Sequence, residues 1–263
     1  MKKIISFVFF VFLIQLPAQA FTLNNSAKLT FNKDEVKVNI AAGLCANVGI
    51  SDEEFLSIVD DAVESFWNKT PTSRLKLKKG SAVSVSGNYR TENVCVGGTN
   101  CDPNPNLKVS SDILIACNDN TTNFPNSAIL GLSLPNNIDG KTIVGSIVLI
   151  NDRSDTRFDT KTRPEKVAII AHELGHAFGL GHSPVADSLM YYATINDREN
   201  LGADDMDGIT YLYPKQQPGG GCGTIDLNSS QNSGPNYWTG LFLGFSIIGL
   251  AEIARKRKKL SMT

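Results

Sequence analysis

All three histidines of this 263-residue chain fall inside eleven positions. They read His172-Glu173-Leu174-Gly175-His176-Ala177-Phe178-Gly179-Leu180-Gly181-His182, the pattern H-E-x-x-H-x-x-G-x-x-H. His172 and His176 are four apart, so on a helix they leave from one face. Gly179 permits a sharp or left-handed turn, which brings His182 back toward the other two. Three neutral imidazoles with a fourth position open are the ligand set of a catalytic zinc, not of a closed structural one. Glu173 stands beside the first ligand, where a carboxylate can take a proton from a water and hand it on. The other reading of the same residues is a core or surface histidine cluster.

The helix is signalled independently. Thr162-Arg163-Pro164-Glu165 fits a capping box with Pro in the first turn. Val167, Ile170, Ala171, Leu174 and Phe178 recur at three to four residues as a buried stripe. His172 and His176 lie off that stripe, and the spacing predicts a helix over 163–180. Ser51-Asp52-Glu53-Glu54 opens a second, amphipathic helix reaching Trp67. Strands are expected near 36–40, 82–86, 109–116, 128–134 and 143–150.

The ends read differently from the body. Lys2 and Lys3 precede an apolar run over 4–16 and then Ala18-Gln19-Ala20, so residues 1–20 read as a secretory signal peptide. Residues 215–236 have linker composition, rich in Gly, Ser and Asn. Residues 237–263 hold an apolar block and then Arg255, Lys256, Arg257, Lys258 and Lys259. They read as a transmembrane segment with a basic cytoplasmic tail. Residues 21–214 remain as one domain. Lys+Arg 25 against Asp+Glu 26 leaves no basic excess of the kind nucleic-acid binding needs.

With Asp187-Ser188-Leu189-Met190-Tyr191 after the histidines, the chain resembles the metzincin zinc endopeptidases and their Met-turn. His182-Ser183 and Leu201-Gly202-Ala203-Asp204-Asp205-Met206-Asp207-Gly208-Ile209-Thr210-Tyr211-Leu212-Tyr213 resemble the matrixins most, over about 31–214. The resemblance implies an α+β zincin-like fold. Its parts are a five-stranded twisted mixed sheet with a cleft strand at one edge, three main helices, and a small C-terminal subdomain carrying the Met-turn. It implies one catalytic Zn2+ on His172, His176 and His182, Glu173 as general base and acid, and Met190 as an apolar floor. Asp204 and Asp205 would start the last helix and brace that turn. Leu130, Gly131 and Leu132 would lie on the edge strand, where an extended polypeptide substrate can add as a further strand.

Departures from the family pattern are informative. Tyr192 stands where matrixins usually carry Pro; in the astacin-like and serralysin-like branches a Tyr at that offset approaches the zinc. Tyr192 is therefore a candidate oxyanion stabiliser, or else a packed aromatic. No histidine is left over for the second zinc of vertebrate matrixins. Asp152, Asp155 and Asp159 could form a calcium site or a solvated acidic loop. No Pro-Arg-Cys-Gly thiol latch is present. Among Cys45, Cys95, Cys101 and Cys117, the metzincin sheet places the strands ending at Cys45 and Cys117 side by side. The expected pairs are Cys45–Cys117, and Cys95–Cys101 across one short loop.

The resemblance thus implies an exported, zinc-dependent endopeptidase of the cell envelope or surface, anchored or released. The alternative is a surface binding or adhesion protein on the same scaffold. The tail also resembles bacterial sorting signals of the Gly-Gly type, with sortase-type processing near Gly220 and Cys222.

Overall fold

The computed structural model describes residues 21–94, 104–193 and 198–215. The expected leader at 1–20, the Cys95–Cys101 pair, the linker at 215–236 (all but Lys215) and the segment at 237–263 lie outside the described residues. No helix among the described residues is long and apolar enough to cross a membrane.

Six strands form one sheet: β1 (Thr30–Phe31), β2 (Glu35–Ala41), β3 (Lys76–Val83), β4 (Asp112–Asn118), β5 (Gly131–Asp139) and β6 (Thr142–Asn151). The order is β1-β6-β4-β2-β3, with β5 on the other edge of β6. β1 pairs with Thr142 and Ile143, just short of Gly145, where β4 begins its pairing, so β1 and β4 share one edge of β6. All pairs are parallel except β5 with β6, which makes the sheet mixed. The strand count is six rather than five, because Thr30 and Phe31 add a two-residue strand that the sequence pattern is too short to signal.

Alternation along the central strands sorts side chains onto two faces. Ile113, Ile115 and Cys117 of β4, with Val148 and Ile150 of β6, join the core beneath the helices. Leu114, Ala116, Ile147 and Leu149 face the other way, under the loop bearing Tyr89, Val94 and Leu107. Two helices cover the first face: α1 (Asp52–Ser65) through Phe55, Ile58, Val59 and Ala62, and α2 (Arg163–Ala177) through Ile170, Ala171 and Leu174. A third, α3 (Ala203–Leu212), closes the domain.

Three boundaries correct the sequence reading. The strand expected at 82–86 is Lys76–Val83. It is an outer strand on which Leu77 is buried while Lys78 and Lys79 are exposed, so its lysines hide the period of two. The strand expected at 128–134 runs on to Asp139 through Pro135, Asn136 and Asn137, with register shifts on both sides of Asn137. An outer strand tolerates Pro, because a missing N–H there need not break a ladder. The helix expected to reach residue 180 ends at Ala177. Gly179 takes φ +120°, and the amide of Leu180 turns back to the carbonyl of Gly175 at 2.9 Å.

Cys45 lies four residues beyond β2 and Cys117 lies within β4, and the two are joined by a disulfide. Their sequence separation is 72, a loop long enough for the cross-link to contribute roughly 4 kcal/mol by the chain-entropy account. Asp152 pins the same region. Its carboxylate accepts the backbone N–H groups of Ala46 (3.0 Å), Asn47 (2.7 Å) and Val48 (2.9 Å), and Arg90 stands 3.4 Å away.

Candidate metal centre

The motif occupies the C-terminal half of α2 and the turn that follows it. Thr162 caps this helix: its hydroxyl accepts the amide of Glu165, and Glu165 returns the bond to the Thr162 amide at 2.8 Å. From Lys166 to Ala177 every residue of α2 is buried. The helix is clamped from behind by Trp67, whose indole Nε1–H donates to the Ala171 carbonyl at 2.7 Å and whose ring meets Phe178 edge-on.

His172, His176 and His182 converge, with one ring nitrogen of each lying within 4.8 Å of the others. Among the described residues this is the one group of three or more His, Cys, Asp or Glu side chains placed to share a metal ion. His172 Nδ1 is 2.7 Å from the Leu189 carbonyl, and His176 Nδ1 is 2.8 Å from the Leu180 carbonyl. A carbonyl only accepts, so both Nδ1 atoms carry hydrogen and both Nε2 lone pairs are left for a metal. Burial holds His172 down to about 4 and His176 down to about 3, so both rings are neutral at physiological pH, as ligands must be. His182 is exposed, and burial of part of its ring lowers it too. The donor set fits zinc: three neutral imidazoles, two of them oriented by backbone carbonyls, at the floor of a cleft.

Glu173 is 7% exposed, and burial pushes its carboxyl up to about 8. Its Oε2 is buried with no protein donor. A carboxylate in that state lacks a positive partner, and a dication at the triad would supply one. Glu173 reaches the cleft because β5 offers no side chain at the crossing. A Cβ built on Gly131 would stand 2.7 Å from Glu173 Oε1 and 2.8 Å from its Cγ and Cδ. β5 pairs with β6 alone, leaving its other edge bare among the described residues. Leu130 precedes that strand, and its carbonyl accepts the Asn151 amide at 3.0 Å. Leu130, Gly131 and Leu132 all line the cavity that reaches His172 and Glu173.

Met190 is buried, with its sulfur against α2 at Gly175; a Cβ there would meet Met190 Sδ at 2.3 Å. What holds this loop are Asp204 and Asp205, the pair for which the family resemblance implies a bracing role. Buried Asp205, near the start of α3, accepts the amides of Leu189 (2.6 Å), Met190 (3.0 Å) and Gly202 (2.8 Å), and the hydroxyl of Ser188. Burial raises Asp205, and these four donors offset only part of that rise. Asp204 accepts the Ser183 hydroxyl one residue beyond the third histidine. Tyr192 is 65% exposed, packs its ring at a 46° tilt against Tyr191 at 4.5 Å between centroids, and lines the same cavity as Glu173.

The three aspartates considered for calcium do not converge. Asp152 is consumed by the 46–48 amides, Asp155 pairs with Arg153 at 2.9 Å, and Asp159 accepts the Thr160 amide at 2.8 Å.

The matrixin family model matches residues 59–214, more than half of the chain. The chain belongs to the matrixin family. Relatives of this matrixin include metalloendoproteinase 5-MMP of Arabidopsis thaliana, 39% identical over 89 residues, which are 32% of this chain and 24% of that protein. Stromelysin-1 of Rattus norvegicus is 44% identical over 66 residues, 23% of this chain and 14% of that one. Matrix metalloproteinase-19 of Homo sapiens is 46% identical over 52 residues, 19% of this chain and 10% of that one. The matrixin described here thus spans about a quarter or less of the length of these relatives.

Proposed function

We propose that this matrixin is an exported, zinc-dependent endopeptidase that hydrolyses peptide bonds in polypeptides laid along β5. The observation that carries the reading is the buried carboxylate of Glu173, without a protein donor on Oε2, set between a triad of neutral imidazoles and the bare edge strand. His172, His176 and His182 would hold the ion. Zinc bound there supplies Lewis-acid polarisation of the scissile carbonyl and makes water nucleophilic near neutral pH.

The chain's own groups do the rest. The free edge at Leu130, Gly131 and Leu132 offers backbone donors and acceptors that hold a substrate extended and in register. Glu173 accepts the proton of the attacking water and delivers it to the leaving amine. Met190 and Gly175 keep the helix and the ligand loop in close packing. Tyr192 lines the same cavity beside Tyr191, and its hydroxyl is the candidate donor to the developing oxyanion.

The leader-like residues 1–20 support export. The apolar block and basic cluster of 237–263 support an envelope anchor or sortase-type processing near Gly220 and Cys222.

The test is cleavage of an unfolded protein or a peptide library by the purified chain. We expect activity that a chelator abolishes, that zinc restores, and that Glu173→Ala lacks. Activity surviving both chelation and Glu173→Ala would overturn the mechanism. Tight peptide binding with no cleavage at any zinc concentration would favour a binding protein on this scaffold instead. A Tyr192→Phe variant with unchanged turnover would remove Tyr192 from the chemistry.

A further inference from the structure

Two cavities meet at Glu173, and their charge differs. Both are lined by Gly131, Leu132, Glu173 and His182. The first, about 360 Å³, continues past Asn24, Asn25, Leu134 and Ile138, and its lining holds no ionisable group beyond Glu173 and the histidines. The second, about 630 Å³, runs the other way between Ile129 and Leu130 on one side and Ile169 on the other, and its far end carries Arg157, Lys161 and Glu165.

The charges at that end do not cancel. Lys161 and Glu165 pair at 3.0 Å, and the second oxygen of Glu165 accepts the amide of Thr162 at 2.8 Å and its hydroxyl at 2.9 Å. That pair is internally neutral and committed to the cap of α2. Arg157 is exposed, and its guanidinium makes no hydrogen bond or ion pair within 4 Å among the described residues. The nearby carboxylate of Asp155 is already engaged by Arg153 at 2.9 Å. Arg157 acts on that carboxylate through its charge alone, so an apolar channel ends at a planar cation with no bonded partner of its own, whose fork matches a carboxylate in bidentate fashion.

We infer that the second cavity selects an acidic substrate side chain, with Arg157 as the specificity-determining residue. The inference rests on the endopeptidase reading and adds the substrate class to it. Because the first cavity carries no such cation, the preference falls on one side of the scissile bond only.

The experiment compares cleavage of a randomised peptide library by the zinc-loaded wild-type chain and by Arg157→Ala and Arg157→Glu variants. It reads, for each protein, the ratio of acidic to basic residues at every position around the cut. A ratio within one protein does not depend on how much of it is folded. We expect wild type to favour acidic residues at one position by roughly two- to fivefold, the scale of an exposed ion pair. Arg157→Ala should flatten the ratio, and Arg157→Glu should invert it. Anisotropy of a labelled acidic peptide on the Glu173→Gln protein, with and without Arg157→Glu, reads the same preference without turnover. No acidic preference, a preference on both sides of the bond, or one unmoved by Arg157→Glu would overturn the inference while leaving the endopeptidase reading intact. A wild-type chain that cleaves nothing would overturn that reading and the inference with it.

Discussion

The cleft has one helical wall and one strand wall, and different forces hold them. On the helical side, α2, the loop through Met190 and α3 are tied by buried bonds between side chains and backbone: two histidine Nδ1 atoms, Ser183 and Ser188 hydroxyls, and the Asp205 carboxylate. On the strand side, the part of β5 beside Glu173 is held by its ladder to β6 and by packing. The side chains of Asn136 and Asn137 tie only the far end of β5 to the backbone of Leu107 and Val109, and the strand's other edge is bare among the described residues. A metal site needs its ligands fixed before the ion arrives, and buried polar networks fix geometry because any displacement strands a donor. A surface that receives an extended peptide needs the opposite, an unpaired row of backbone groups. The difference predicts that breaking the buried bonds of the helical wall is severe and general, while damage to the strand wall beside Glu173 is milder and confined to chemistry.

The largest effect should come from Glu173→Gln. The amide keeps the shape and removes the base, so kcat/KM should fall on the order of 10²- to 10⁴-fold, with the melting temperature kept or raised. Removing a buried carboxylate that sits at about 8 relieves a folding cost. Steady-state kinetics beside a thermal melt separate the two readouts. A fall below tenfold would sink Glu173 as base.

Next is Asp205→Ala, which strands the amides of Leu189 and Gly202 and the Ser188 hydroxyl at once, while the Met190 amide keeps the Ser188 oxygen as acceptor. Each buried donor left alone costs about 1–3 kcal/mol, less where water can enter. We expect a loss of about 3 kcal/mol or more in chemical denaturation, together with weaker zinc binding, because the Leu189 carbonyl that orients His172 belongs to this loop. Normal stability with normal zinc affinity would show that the network is ornamental and the two walls alike.

The same contrast governs what the sequence disclosed. The ligand helix was legible because its signals are local: a cap at Thr162 and Glu165, a buried stripe, and four-residue spacing of His172 and His176. The pairing of Cys45 with Cys117 was inferred from a family sheet and not from the cysteines themselves. Asp152 was hidden, since a loop carriing Asp152, Asp155 and Asp159 looks like a solvated or cation-binding loop until the distant amides of 46–48 come into view. The ends of β5 and β3 were displaced for a related reason. Pro135 and the lysines of β3 contradict strand propensity locally, and only their place at the outside of the sheet makes them tolerable. By itself Asp205 shows only as an acidic residue near a helix start, and its bracing of the Met190 turn follows from the family resemblance alone; its four partners lie between three and seventeen residues away, set by the tertiary loop.

A third substitution probes the strand wall where it touches the base. Gly131 is not in the left-handed region, so Ala suits its backbone, yet the added methyl meets Glu173 at under 3 Å. Gly→Ala at a compatible position stabilises by about 0.4–1 kcal/mol through the unfolded chain. We therefore expect Gly131→Ala to hold its melting temperature while kcat drops about tenfold, as Glu173 is pushed off its position. A fall in stability without a fall in kcat would mean that the contact is packing only, and the strand wall would lose its part in the chemistry.

The smallest effect lies at the start of the helical wall and is read through pH. Glu165 is held down to about 2, first by the Thr162 amide, then by Lys161 and the Thr162 hydroxyl. A carboxyl whose folded value is depressed stabilises the fold fully above its unfolded value near 4.5, and loses that contribution as pH falls toward 2. Because the group lies at the surface, solvent screening limits its worth to the range of a helix cap, about 1 kcal/mol. Glu165→Gln should therefore be less stable than wild type at pH 6, and the two denaturation midpoints should converge between pH 4.5 and 2. Histidine protonation affects both proteins alike and drops out of the difference. Parallel curves across that window would show that the capping box does not stabilise α2, and that the helical wall owes its rigidity to the buried bonds at its other end.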